Sequence, residues 1–288
     1  MKDFLELPID RRAALRAITA LAAAPLLSDA RAESVRRRSL ERIGLAVLTV
    51  NSVSGRDYER TMRDVAAIGY REVDMYIYES RREARETRAI LDRAGLSCTS
   101  ARVASPALYR GWDRFLDAAN ILGARWITLA NLTYEERMNL RDWREIADVL
   151  NKAGEAAHAR GLTLCYHNHS FELEAMEGKI PLDLLLASTD PELVKLQMDV
   201  YWMTHGGRDP ATEIRRLGSR VATLHLKDMD ATPARGITSL GRGIIDFPAV
   251  LAAASDAKVA NYFVEEDSPR DPMAAIRSSY AYLSSLEF

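Results

Sequence analysis

Residues 166–173 read YHNHSFEL and place two of the chain's five histidines, His167 and His169, one residue apart, with Glu172 three positions further on. They stand directly behind the largely apolar run Leu162-Thr163-Leu164-Cys165. Imidazole exchanges protons near neutral pH, and imidazole together with carboxylate binds divalent metals. A segment buried only for packing gains nothing from such groups, because burying them unpaired is costly. The question is therefore what these side chains face.

The elements that hold them follow from periodicity. Apolar and β-branched runs predict strands at Ile43–Val50, Glu72–Ile77, Ser97–Val103, Trp126–Ala130, Leu162–Tyr166, Val194–Met198, Val221–Leu226 and Tyr262–Val264. Helical spacing fills the intervals: Met62, Val65 and Ala66 share a face within Tyr58–Ile68, and Ile146, Val149, Leu150 and Ala153 form a stripe within Trp143–Arg160. Glycines 69, 95, 123, 161 and 218 stand where left-handed residues end helices. Strand and helix alternating eight times over 43–288 predict a single (β/α)8 TIM barrel. An open doubly wound sheet would carry a glycine-rich turn after its first strand, which GLAVLTVNS lacks.

A barrel enzyme carries its chemistry just past the C-terminal ends of its strands. The fifth strand ends in His167 and His169 and continues to Glu172; the sixth ends at Asp199, followed by Tyr201 and Trp202. The seventh carries His225, Lys227 and Asp228, and the eighth carries Glu265, Glu266 and Asp267. Neighbouring strands lie about 4.8 Å apart, so these groups converge. Mixed oxygen and nitrogen donors without thiolate suit one divalent ion such as Mn²⁺, Mg²⁺, Co²⁺ or Zn²⁺. Without a counter-charge the clustered carboxylates would raise one another's pKa.

Taken together, LCYHNHSFEL, LQMDVYW, LHLKD, LGRGIIDF and YFVEED resemble the xylose isomerase-like TIM-barrel family of sugar phosphate isomerases and epimerases, over about residues 43–288. The family's relatives include tagatose 3-epimerase-like enzymes, inosose dehydratase and the endonuclease IV group. The resemblance implies one divalent metal, with Asp199, His225 and Glu265 at the ligand positions of strands six to eight. Strand five departs from the epimerase pattern: a metal-binding glutamate is expected near Tyr166, and only the second glutamate, six residues on, remains as Glu172. We read Glu172 as the fourth ligand, with His167 and His169 as the alternatives, and a strand-five histidine as the acid/base. The YHNH-type branch is similar to inosose dehydratase and to enzymes acting on 3-keto sugars.

The implied substrate is a keto sugar or keto-cyclitol. The metal would bind its carbonyl and adjacent hydroxyl and stabilise an ene-diolate, while His167, His169 or Glu265 takes the α-proton and Lys227 supports the oxyanion. Reprotonation gives an isomer or epimer; loss of a β-substituent makes the enzyme a dehydratase or lyase. Glu72, Arg102, Asn131 and Trp202 are the expected substrate contacts, Trp202 as a face for the sugar ring, and Asp74, of the same strand parity as Glu72, is a further inward-pointing candidate. Gly241-Arg242-Gly243 is a weak candidate cradle for a phosphate or a sugar hydroxyl, and Lys227-Asp228 reads equally well as an exposed ion pair. A non-catalytic sugar-binding protein is the alternative of another class.

A net charge of −2 over 288 residues argues against a nucleic-acid partner; self-association stays open. Cys98 and Cys165 fall inside predicted strands and read as free buried thiols. Arg11-Arg12, the apolar stretch Ala17–Leu27 and Ala30-Arg31-Ala32 resemble a twin-arginine export signal over residues 1–32, with 33–42 as a connecting segment. Asp10, Ala14 and the acidic Asp3 and Glu6 depart from that pattern; a packed amphipathic helix in a cytoplasmic protein is the alternative. The apolar part is too short for stable membrane insertion. The expectation is a periplasmic protein. Replacing Arg11 and Arg12 together by Lys should then leave the uncleaved precursor inside the cell, and a chain starting at Glu33 should melt like the full one; unfolding of the shortened chain would place residues 1–32 in the domain instead.

Overall fold

A computed structural model describes residues 38–78 and 80–288; the export segment and residues 33–37 of the connecting segment lie outside the described residues. Eight parallel strands close into one barrel, confirming the expected (β/α)8 architecture. In chain order they are β1 (Gly44–Ala46), β2 (Glu72–Tyr76), β3 (Ser97–Val103), β4 (Trp126–Leu129), β5 (Thr163–His167), β6 (Val194–Asp199), β7 (Val221–Leu226) and β10 (Asn261–Val264). A two-stranded antiparallel ribbon, β8 (Asp228–Met229) with β9 (Ile237–Thr238), stands between β7 and β10. The ring closes where Gly44 and Leu45 pair with Phe263 and Val264.

The helical layer comprises α1 (Tyr58–Ile68), α2 (Arg81–Ala94), α3 (Trp112–Leu122), α4 (Leu140–His158), α5 (Pro181–Ser188), α6 (Pro210–Leu217), α7 (Phe247–Asp256) and α8 (Pro272–Ser285). Their starts are written in the sequence. Asp57, Asp209, Asp246 and Asp271 each accept a backbone N–H of the first turn, and Asn139 with Asp142 forms a capping box that starts α4. Met62, Val65, Ile146, Leu150 and Ala153 are buried between helices and barrel, as their spacing requires. Among the described helices, none is long and apolar enough to cross a membrane. Both cysteines are free and buried.

The first strand is shorter than its apolar run. Pairing with β2 stops at Ala46↔Asp74, and Val47–Val50 curls into a 3-10 turn that leads into a short helix. Val47, Thr49 and Val50 stay buried in that turn. Apolar residues read alike in a buried turn and a buried strand, so periodicity alone could not end the strand.

Inside the barrel the packing is partly polar. At the N-terminal end, Trp126 Nε1 donates to Asn261 Oδ1 (2.8 Å) and Asn261 Nδ2 donates to Glu72 Oε2 (2.7 Å). All three are the first residues of their strands. Glu72, expected at the substrate, therefore closes the opposite end of the barrel. It shares the inward parity of Asp74, and only the latter reaches the catalytic end.

Asp228 is fully buried, not half of an exposed ion pair. Its Oδ2 accepts from Gly241 N (3.0 Å) and Gly243 N (2.9 Å), and its Oδ1 from Met229 N (2.8 Å) and Ile245 N (3.3 Å). The amides of Gly241 and Gly243 are thus committed to a carboxylate of the chain itself, and that of Arg242 to Ser239 O, which removes this segment as a phosphate cradle. A Cβ at Gly243 would run into Met229 O and the Asp228 carboxylate, so glycine is required there. Asp228→Asn turns two accepting lone pairs into donors facing N–H groups. It should destabilise the fold by about 2 kcal/mol, lowering Tm by roughly 5 °C in a domain of this size; thermal melts of the two proteins check this.

Candidate metal and catalytic site

The C-terminal strand ends bring together His167 of β5, Asp199 of β6, His225 of β7 and Glu265 just beyond β10. One ligand atom from each lies within 4.8 Å of all the others, and all four residues are buried. This group could hold a metal ion. The expected members Asp199, His225 and Glu265 are present, but the strand-five member is His167. Glu172 is turned away. Its Oε1 accepts from Tyr166 Oη (2.8 Å) and its Oε2 from His169 N (2.8 Å), so it braces the turn that follows β5. Inward parity explains the exchange: the last residue of β5 points into the barrel, while the 3-10 turn Phe171–Leu173 folds Glu172 back under Tyr166.

A hydrogen-bond chain through the barrel interior sets the state of His167. Its Nδ1 lies 3.0 Å from Gln197 Oε1, while Gln197 Nε2 reaches Ser100 Oγ (3.5 Å), itself 3.2 Å from Thr128 Oγ1. With the amide oxygen as acceptor, Nδ1 carries the proton. Nε2 then presents its lone pair to the cluster, 3.8 Å from Asp199 Oδ2. Burial, reinforced by the Arg102 guanidinium, pushes the His167 pKa well below the usual histidine value. The ring is thus neutral, the form that binds metals.

His225 sits between two carboxylates, with Nε2 2.8 Å from Asp74 Oδ2 and Nδ1 3.0 Å from Glu265 Oε2. Burial alone would lower its pKa; Glu265 and Asp74 override that and raise it to about 9. Arg102 donates to Glu265 Oε1 (2.9 Å) and comes within 3.7 Å of Asp74. Lys227 Nζ lies 2.8 Å from Glu265 Oε2, 3.2 Å from Asp199 Oδ2 and 3.1 Å from Asp267 Oδ2. Against the effect of burial, Lys227, His225 and Arg102 hold the Glu265 carboxyl well below the usual range. Burial raises Asp199, with Lys227 opposing. Glu265 is consequently held as a carboxylate among these three cations.

The remaining expected residues divide by position. Trp202 flanks the cluster, with its ring 5.7 Å from that of His169 and Lys227 Nζ 5.8 Å from its centre. His169 stands at the mouth, its side chain 24% exposed, its ring 5.1 Å from that of His167 and stacked on Phe171 at 5.4 Å. Its Nδ1 is buried without a hydrogen-bond partner. Arg102 is buried among the carboxylates and neutralises them rather than standing at the rim. Asn131 is exposed beyond the end of β4. Two residues were missed as site members: Gln197 and Asn168, whose Oδ1 accepts the Asp199 N–H (3.1 Å). A sequence signal existed for Gln197 as it did for Asp74. Asp74 and Gln197 sit two residues from Glu72 and Asp199, on the same inward parity in otherwise apolar strands.

An eight-stranded barrel with carboxylates and imidazoles gathered at its C-terminal strand ends is the layout of a barrel enzyme. The chain belongs to the xylose isomerase-like TIM barrel family, whose family model matches residues 62–286. It is 28% identical over 156 residues to the inosose dehydratase of Bacillus cereus (strain AH820), covering 49% of this chain and 51% of that protein. To the inosose dehydratase of Geobacillus kaustophilus it is 28% identical over 165 residues, 52% of this chain and 53% of that one. The chain thus matches about half the length of these curated relatives. Two solved structures share the fold. A sugar phosphate isomerase/epimerase from Parabacteroides distasonis has a TM-score of 0.76 at 21% identity, over 85% of this chain and 98% of that one. The 3-keto-D-glucoside 4-epimerase from E. coli has a TM-score of 0.67 at 18% identity, over 85% and 99%.

Gln197 generates a test of the site. Gln197→Leu removes the acceptor that fixes His167 and should weaken Mn²⁺ binding about 10–100-fold, whereas Gln197→Glu, which keeps an acceptor, should lose less. Titration of the metal-free proteins with Mn²⁺ measures both; equal affinities for Gln197→Leu and the unaltered protein would remove His167 from the ligand set.

Proposed function

We propose that the protein is a divalent-metal-dependent sugar isomerase or epimerase that moves the proton α to the carbonyl of a keto sugar or keto-polyol. The observation that carries this reading is the buried group of His167, Asp199, His225 and Glu265, one ligand atom of each lying within 4.8 Å of the others. Imidazole and carboxylate donors converging in this way suit a divalent ion. His167, Asp199, His225 and Glu265 would hold the ion, His225 giving up a proton to do so, and the ion would supply Lewis acidity toward a carbonyl and a neighbouring hydroxyl oxygen.

The chain's own groups account for the rest. His169 is the proton carrier we favour, because its ring stands at the mouth and its Nδ1, 3.9 Å from Glu172 Oε1, makes no hydrogen bond, whereas both oxygens of Glu265 are taken. The Lys227 ammonium, kept protonated by Asp199, Glu265 and Asp267 despite its burial, favours negative charge developing on the substrate oxygen. The Trp202 ring beside it offers a flat face to a sugar. A second reading is favoured by the likeness to inosose dehydratases: the same proton removal next to a leaving group gives an elimination, which makes the protein a dehydratase or lyase.

Metal-loaded protein, incubated in D₂O with 3-keto-glucosides, ketohexoses and keto-inositols, should incorporate deuterium at the carbon next to the carbonyl, as read by NMR. An exchanged or epimerised sugar supports the first reading and an unsaturated product the second. Binding without exchange across the panel would instead describe a sugar-binding protein. Asp199→Ala should abolish metal uptake, while His169→Gln should keep the metal and slow exchange by about 10²–10⁴-fold. Full exchange in His169→Gln would move the proton transfer to another residue.

A further inference from the structure

Beside this site lies a second cavity of about 220 Å³, between the segments that follow β4 and β5. Tyr134, Arg137, Met138, Trp143, Phe171 and Met176 line it. Phe171 joins it to the site: its ring stacks on His169, with planes 10° apart, and the Arg137 guanidinium lies 3.7 Å from its centre. The cavity and the cluster are therefore two ring contacts apart.

Two donors on its lining residues are unsatisfied. Trp143 is 1% exposed, and its indole N–H, like Arg137 Nε, is buried without a partner. Buried indole N–H groups normally find an acceptor. Trp112 and Trp126 do, on Ala153 O and Asn261 Oδ1. Unsatisfied donors call for a ligand that brings acceptor oxygens. Arg137 is offset by Glu174, which also lines the cavity, so a neutral ligand suits it better than an anion. Aromatic walls fit a flat-sided ring, and the volume, below the roughly 300–1,000 Å³ of a whole drug-sized site, leaves room for one ring. Tyr134 and Met138, 65% and 56% exposed, are apolar surface available at its edge.

We propose that this cavity is a binding subsite for the unit linked to the reacting sugar: a neutral, oxygen-bearing ring, either an aryl aglycone or a second pyranose. The substrate class is then a glycoside rather than a free monosaccharide. This rests on the sugar-directed reading above and narrows it.

Calorimetry on the full-length, Mn²⁺-loaded protein tests the subsite by binding alone. The probes are paired methyl and 4-hydroxyphenyl β-D-glycosides of glucose and galactose, with cellobiose and lactose. At least one extended ligand should bind about tenfold more tightly than the methyl glycoside of the same sugar, as expected when buried donors gain acceptors. Gain with the 4-hydroxyphenyl compound assigns an aglycone, and gain with the disaccharide a second pyranose. Trp143→Phe, which keeps the ring but loses the N–H, and Arg137→Gln, at a half-buried position, should each reduce that gain and leave methyl glycoside affinity unchanged. No gain in any pair, or a gain that survives both substitutions, overturns the subsite. Deuterium exchange on a free keto sugar reports the reaction separately, so a protein that exchanges but shows no gain loses only the subsite.

Discussion

Everything at the catalytic end of this barrel depends on keeping three carboxylates, Asp74, Asp199 and Glu265, charged inside protein. All are buried within reach of one another through His225, Arg102 and Lys227. Left alone, such a group would protonate, because desolvation penalises the charged form. The guanidinium, the ammonium and a doubly hydrogen-bonded imidazole supply matching positive charge. Glu265 shows the result most clearly: three cations hold it ionised where burial alone would neutralise it. The compensation is uneven. It leaves one oxygen of Asp199 and one of Asp74 without a hydrogen bond.

That arrangement explains why the surroundings are so firmly braced. Asp228 anchors four backbone amides next to Lys227, and Glu172 ties Tyr166 to the turn that carries His169. Asn168 holds the backbone of Asp199, and the Asp199 carboxylate caps the short helix that begins at Val200. Carboxylates here act in two ways: some anchor loops through backbone N–H groups, and others face the open centre. Removing a partner from a buried ionic network costs far more than an exposed pair is worth. The network therefore fixes geometry as well as charge.

The polar interior beneath the cluster extends this role. Ser100, Thr128 and Gln197 form a chain that ends on His167 and decides which ring nitrogen is free. A wholly apolar interior would leave that ring without an orienting partner, and a ligating histidine depends on its second nitrogen for orientation. Outside the cluster, the stack from His169 through Phe171 to Arg137 connects the chemistry to a cavity with its own unsatisfied donors. Recognition of substrate and proton transfer would thus share one aromatic contact.

The sequence by itself determined the barrel, most strand bounds, the helix Tyr58–Ile68, and the convergence of Asp199, His225, Lys227 and Glu265. Alternation of apolar runs with helical stripes leaves few architectures, and a parallel barrel puts all C-terminal strand ends on one face. It did not determine where β1 stops, because buried residues look alike in a turn and a strand. Nor did it separate His167 from Glu172, Asp74 from Glu72, or an exposed Lys227-Asp228 pair from two buried anchors. Each of those choices turns on side-chain direction at the last residue of a strand and on how the next turn folds back. Spacing along a chain carries parity within a strand, but once the strand ends, only the packed structure decides which way a side chain points.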